Sequence, residues 1–68
     1  MRFFERGGPG ARESLERLGR DLRASGAEVE LLTSLDQPGL WLLTARGGGP
    51  EPDVDERTRR WRFRRADA

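Results

Sequence analysis

The chain contains no cysteine, histidine, lysine, asparagine or tyrosine. Without cysteine and histidine it cannot form a disulfide bond, nor the thiolate and imidazole metal sites that are typical of zinc and iron proteins. General acid–base catalysis would have to rely on aspartate, glutamate or arginine, because the other usual groups are missing. These absences favour binding over catalysis, and we predict neither a metal site nor a cofactor.

The length of 68 residues lies near the lower limit for a domain that folds unaided. We therefore expect a single domain over residues 1–68 with a small core. Disulfides, metal ions and oligomerisation are the usual reinforcements of such small folds. Since the composition excludes the first two, oligomerisation is the reinforcement that we expect.

The charges nearly balance, with 13 basic residues, all of them arginine, against 12 acidic ones. Net charge therefore predicts no general attraction to nucleic acid or to a membrane. The longest apolar run, residues 40–43, is too short to cross a bilayer, and residues 1–10 do not resemble a signal peptide. Together with the lack of cysteine, this indicates a soluble cytoplasmic protein. Arginine in place of lysine indicates a high-GC genome, and the scarcity of thermolabile residues is compatible with a thermophilic source.

Local patterns predict an α+β domain with the element order β-α-β-β-(loop)-β. Leucines at positions 15, 18 and 22 recur at helical spacing, and Gly26 follows where glycine commonly ends a helix. Pro38-Gly39 is suited to a type II turn between two apolar strands. The predicted elements are a strand at residues 2–6, a helix at 11–25, strands at 28–35 and 40–45, a helical turn at 52–56 and a last strand at 57–65.

The predicted hairpin leads to an inference about the two faces of the sheet. If the turn pairs Leu35 with Leu40, one face carries Val29, Leu31, Thr33, Leu42 and Thr44 and receives the helix. A single helix cannot cover both faces, so the other one needs a partner or a ligand. The candidates that we place on that second face, as a homodimer interface or a site for a small apolar ligand, are Phe4, Leu32, Trp41, Leu43 and Ala45.

Residues 28–43, EVELLTSLDQPGLWLL, together with the β-α-β-β-β order, resemble the dimeric α/β-barrel superfamily, which includes antibiotic-biosynthesis-monooxygenase-like domains. The resemblance covers residues 1–46 and, more loosely, the last strand. It implies a ferredoxin-like fold, with one helix on an antiparallel sheet and two sheets packed face to face in a homodimer. Residues 47–56 are too short for the second helix of those domains, so this chain resembles a shortened member. Of the Asn, His and Trp that such oxygenases use, only Trp41 has a match here.

Three local features raise catalytic or anion-binding alternatives. Glu28 and Glu30 share one strand face, but we favour pairing with neighbouring arginines over acid–base catalysis. No activating base accompanies any serine, which argues against nucleophilic catalysis. Residues 6–12, RGGPGAR, precede a predicted helix as an anion-binding loop would, yet they match no dinucleotide or phosphate-loop motif. A plain connection is the favoured interpretation.

The segment 57–65, RTRRWRFRR, alternates arginines with two aromatic residues. Arg60, Arg62 and Arg64 could contact phosphates while Trp61 and Phe63 stack on bases of single-stranded nucleic acid. We favour a structural interpretation, in which the aromatic residues face the core and the arginines form a solvated or salt-bridged row. Acidic residues between positions 51 and 56 also reduce the local positive potential.

The sequence therefore favours a small, non-enzymatic homodimeric domain with a binding, regulatory or structural function. An apolar ligand held against Trp41 between subunits is compatible with this hypothesis. Nucleic-acid binding by the last strand is the first alternative. A cofactor-independent, monooxygenase-like enzyme with Trp41 in a closed pocket is the second.

Overall fold

The computed structural model describes residues 1–67 and shows an α+β fold with one helix and a four-stranded antiparallel open sheet. The strands lie side by side in the order β2-β3-β1-β4, an arrangement compatible with a ferredoxin-like fold. No helix in residues 1–67 has the length and apolar character needed to cross a membrane. The elements are β1 (Arg2–Gly7), α1 (Ala11–Ala24), β2 (Glu28–Thr33), β3 (Leu40–Arg46) and β4 (Arg59–Arg62).

The helix α1 lies on one face of the sheet, as its leucine spacing predicts. Leu15, Leu18 and Leu22 are buried beneath it, and the opposite side of the helix carries its charged residues. The helix ends in a Schellman motif, because the Gly26 N–H donates to the Arg23 carbonyl and the following N–H donates to the Leu22 carbonyl. Gly26 has a φ of 97°, which favours glycine and confirms its predicted role.

The hairpin between β2 and β3 differs by one residue from the predicted register. The predicted turn is present, since the Leu40 N–H donates to the Gln37 carbonyl and Gly39 has a φ of 81°. However, Ser34 and not Leu35 is opposite Leu40, because the Ser34 N–H donates to the Leu40 carbonyl. The Ser34 hydroxyl accepts hydrogen bonds from the backbone N–H groups of the two residues at 36 and 37, which closes a five-residue loop.

This one-residue difference moves every side chain of β3 to the other face. Leu31 pairs with Leu43 and Val29 with Ala45, so the helix covers Leu43 and Ala45 instead of leaving them free. The prediction that Val29, Leu31 and Thr33 of β2 lie on the helix face is confirmed. The prediction that Leu42 and Thr44 of β3 lie on the same face is wrong. The buried core consists of Phe4, Leu15, Leu18, Leu22, Ala27, Leu43 and Ala45.

For the segment between β3 and β4, we expected a loop with one helical turn. Residues 51–55 contain no helix, so the turn predicted at 52–56 is wrong. The segment is nevertheless attached to the helix side of the molecule. Val54 packs against the core. A carboxylate oxygen of Asp55 lies 3.4 Å from the guanidinium of the buried Arg6, and a carboxylate oxygen of Glu51 lies 2.8 Å from the guanidinium of Arg60. It therefore covers part of the sheet beside α1 without a second helix.

The last strand is shorter than predicted. β4 spans only Arg59–Arg62 and pairs with β1, with Arg62 opposite Arg2 and Trp61 opposite Phe3. Beyond it, the Phe63 N–H donates to the Met1 carbonyl at 2.8 Å. β4 is therefore an edge strand held by a single neighbour.

Candidate binding face

The sheet has one face that α1 does not cover, which we call the open face. It carries the side chains of alternate residues on all four strands. The cross-strand pairs Leu32–Leu42 and Phe3–Trp61 place their members on the same side, because directly opposite residues in an antiparallel sheet share a face. The open face consists of Phe3, Glu5, Glu28, Glu30, Leu32, Leu40, Leu42, Thr44, Arg46, Arg59 and Trp61.

Large apolar side chains on the open face are accessible to solvent. Leu32 is 44% exposed and Trp61 is 48% exposed. Phe63, just after β4, is 56% exposed and packs edge-on against Phe3, with ring centroids 5.0 Å apart. Both Trp61 and Phe63 point to one side as predicted, but that side is the open face, so their predicted place in the core is wrong. Their exposure leaves them available to a partner.

A groove of about 880 Å³ runs along the open face over β1 and β4. We call it the aromatic groove. Its apolar floor is formed by Phe3, Leu42, Trp61 and Phe63. A smaller hollow of about 300 Å³ adjoins it, next to Leu42 on the side of β2. At one end of the groove lie Arg46, Arg64 and Arg65, and Glu5 is the acidic residue of its lining.

The observed register changes the face of the sheet on which the predicted interface residues lie. Only Leu32 lies on the open face. Phe4, Leu43 and Ala45 are 0–2% exposed under the helix and offer no surface to a partner. Trp41 is on the helix side as well, with the Arg12 guanidinium carbon 5.3 Å from its ring centroid. The open face instead presents Phe3, Leu42 and Trp61, none of which was among the predicted interface residues; Trp61 was considered only as a core residue or for stacking on bases.

The three arginines proposed for nucleic-acid contacts do not form one row beside the aromatic residues. Arg60 lies on the helix side, where its guanidinium is 2.8 Å from a Glu51 carboxylate oxygen. Arg62 follows Trp61 in β4, so its side chain lies on the other face of the sheet, and its cross-strand neighbour is Arg2. Of the three, only Arg64 lines the aromatic groove.

Carboxylates and arginines are distributed over the open face with both signs. Glu28 and Glu30 lie on the edge strand β2, and Glu28 is directly across from Arg46. Glu5 is directly across from Arg59. In residues 1–67 no group of three or more acidic side chains is arranged to hold a metal ion. The open face therefore has an apolar centre and a border of mixed charge.

Comparison of the chain with protein-family models, with curated proteins and with solved structures found no match.

Proposed function

We propose that the chain functions as a homodimeric binding domain whose open faces pack together and hold an apolar ligand in the aromatic groove. The observation that carries this proposal is the one-sided position of α1. It buries one face of the sheet and leaves Phe3, Leu42 and Trp61 on the other, next to the groove. Contiguous exposed apolar surface of this kind marks interaction sites in soluble proteins.

The accessible area of the chain supports a missing partner. The chain exposes 5301 Å² for a mass of 7.7 kDa, whereas a folded monomer of that mass is expected to expose about 4300 Å². The excess is slightly larger than the roughly 800 Å² that each partner buries in a standard interface. A second molecule on the open face would bring the exposed area into the usual range.

Charge favours a second copy of this chain as that molecule. The open face carries Glu5, Glu28 and Glu30 together with Arg46 and Arg59. In a two-fold interface the same surface meets itself, so a face of one sign would repel its copy. A face that carries both signs can place carboxylates near arginines of the partner, and its apolar centre can be buried without an excess of charge.

The stabilisation expected from dimerisation is large for so small a domain. Burial of roughly 400 Å² of apolar surface per subunit contributes about 10 kcal/mol before the entropy of association is subtracted. Small domains have a total stability of about 5 kcal/mol. Association through the open face would therefore be a major source of stability for the folded chain.

A pair of leucine substitutions tests the proposal. Leu42→Glu places a carboxylate at the centre of the open face, whereas Leu35→Glu makes the same change at the hairpin tip, where Leu35 is 97% exposed. We expect the unmodified chain and Leu35→Glu to be dimers and Leu42→Glu to be a folded monomer. Size-exclusion chromatography with light scattering measures the mass, and circular dichroism checks the fold. A dimer that persists in Leu42→Glu would contradict the proposal.

Binding of single-stranded nucleic acid is a second candidate, because Phe3, Trp61 and Phe63 expose aromatic rings beside arginines. A strand on this surface would also meet the three carboxylates of the open face, which disfavour phosphates. This candidate predicts salt-sensitive binding of an oligothymidylate that Trp61→Ala abolishes, measured by fluorescence anisotropy. The monooxygenase-like alternative needs Trp41 in a closed pocket, whereas the Trp41 ring lies on the helix side beside the Arg12 guanidinium.

A further inference from the structure

We infer that the ligand of the aromatic groove is a free carboxylate with a long apolar chain, whose acid group binds at Arg46, Arg64 and Arg65. This inference rests on the proposed function, because it specifies the ligand that the paired open faces would enclose.

The topology brings the three arginines to one end of the sheet. β3 and β4 both run antiparallel to β1, so they run in the same direction and end at the same edge of the sheet. Arg46 is the last residue of β3, and Arg64 and Arg65 follow the end of β4. All three line the aromatic groove.

Among residues 1–67 these three arginines have no ion-pair partner, although Glu28 on β2 lies directly across from Arg46. The ion pairs among residues 1–67 engage Arg2, Arg6, Arg12 and Arg60 but none of these three. The shortest of them, between Arg60 and Glu51 at 2.8 Å, lies on the helix side of the sheet. Arginines that line one groove without such an ion pair are suited to a carboxylate, which the planar guanidinium group can bind through two parallel hydrogen bonds.

The rest of the groove is suited to an apolar chain. Its floor between the arginine end and Glu5 is formed by Phe3, Leu42, Trp61 and Phe63. Leu42 and Arg46 are four residues apart on β3, which corresponds to about 13 Å along the strand. A decanoate chain lying along this floor would reach from the arginines to Leu42. Glu5 at the far end would repel a carboxylate, so only one orientation of the ligand is favourable.

Fluorescence of Trp61 provides a direct readout of the groove. The Trp41→Phe variant leaves Trp61 as the one tryptophan of the chain, because the sequence has two. We expect sodium decanoate, below its critical micelle concentration, to change this fluorescence with saturation. Decyltrimethylammonium has an alkyl tail of nearly the same length and the opposite charge, and we expect at least tenfold weaker binding. Acetate, which lacks the tail, should cause no change.

Charge-removing variants in the same background test the arginines. The double change Arg46→Gln and Arg65→Gln should weaken decanoate binding at least tenfold. The control removes the same charge from exposed positions of α1, Arg17→Gln and Arg20→Gln, and should leave the affinity unchanged. Equal losses in both double variants, or equal affinity for decanoate and decyltrimethylammonium, would overturn the inference.

Sedimentation in the presence and absence of decanoate separates this inference from the proposed function. A dimer that binds no decanoate would overturn the ligand assignment and leave the dimer proposal intact. A monomer that binds decanoate would contradict the dimer and support the groove as a carboxylate site. Binding to phosphatidylglycerol vesicles or to oligothymidylate, without binding of free decanoate, would also overturn the assignment.

Discussion

Two neighbouring leucines of β3 should respond to substitution in opposite ways. Leu43 is 2% exposed and belongs to the core beneath α1. The helix approaches it closely, because a Cβ built on Gly19 would lie 3.3 Å from its Cδ1 atom. The surroundings therefore have little freedom to collapse into the cavity that Leu43→Ala would leave.

We expect Leu43→Ala to lower the free energy of unfolding by about 3 kcal/mol, within the usual range for a buried leucine. This is more than half of the stability of a typical small domain. Leu42 lies on the open face, so Leu42→Ala should lower the stability of the monomer by no more than about 1 kcal/mol. Its larger effect should be on association.

Urea unfolding followed by circular dichroism at several protein concentrations, from about 1 to 100 µM, distinguishes the two effects. The difference between Leu43→Ala and the unmodified chain should not depend on concentration. The difference for Leu42→Ala should grow as the concentration rises, because the proposed association would stabilise the unmodified chain more. If Leu42→Ala proves as destabilising as Leu43→Ala at every concentration, the observed register, and with it the identity of the open face, is wrong.

Two further predictions concern the segment between β3 and β4. Asp55→Asn should lower the stability by about 1–2 kcal/mol, because it leaves the buried guanidinium of Arg6 without its carboxylate, whereas Asp53→Asn at an exposed position should have little effect in the same urea titration. Gly48→Ala should raise the unfolded fraction more than Gly47→Ala in thermal unfolding. Both glycines have positive φ, but only at Gly48 would the new Cβ lie 2.8 Å from the Cβ of the alanine that precedes β2. Equal losses of thermal stability in the two variants would contradict this contact.

Much of the fold follows from local sequence signals. The helix and its end were predicted because the leucine spacing and Gly26 act over a few residues. The turn at Pro38-Gly39 was also predicted, since its residues match the required backbone angles. These features do not depend on the rest of the molecule.

The faces of the sheet were not predicted correctly, because they depend on a single side chain. The Ser34 hydroxyl binds two backbone N–H groups in the hairpin loop and removes Leu35 from the strand. A serine hydroxyl can bond backbone groups two or three residues later and so compete with a strand, but apolar alternation favoured a longer strand. That difference placed Trp41 and Leu43 on the wrong face and concealed Leu42 as the centre of the open face.

The arginine-rich last strand is a second element whose orientation could not be predicted from the sequence. Its alternation correctly grouped Trp61 with Phe63, but alternation alone does not show which face a helix will cover. Arg60 pairs with Glu51 on the helix side, and its neighbour Trp61 lies on the opposite, exposed side of the strand. Only the pairing of β4 with β1 reveals that Trp61 meets Phe3 on the open face.

Sedimentation equilibrium of the unmodified chain over a range of micromolar concentrations measures directly whether a second copy covers the open face. We expect a mass near twice 7.7 kDa that falls toward the monomer value only on dilution. A mass of one chain at every micromolar concentration would contradict the claim that a second copy covers the open face.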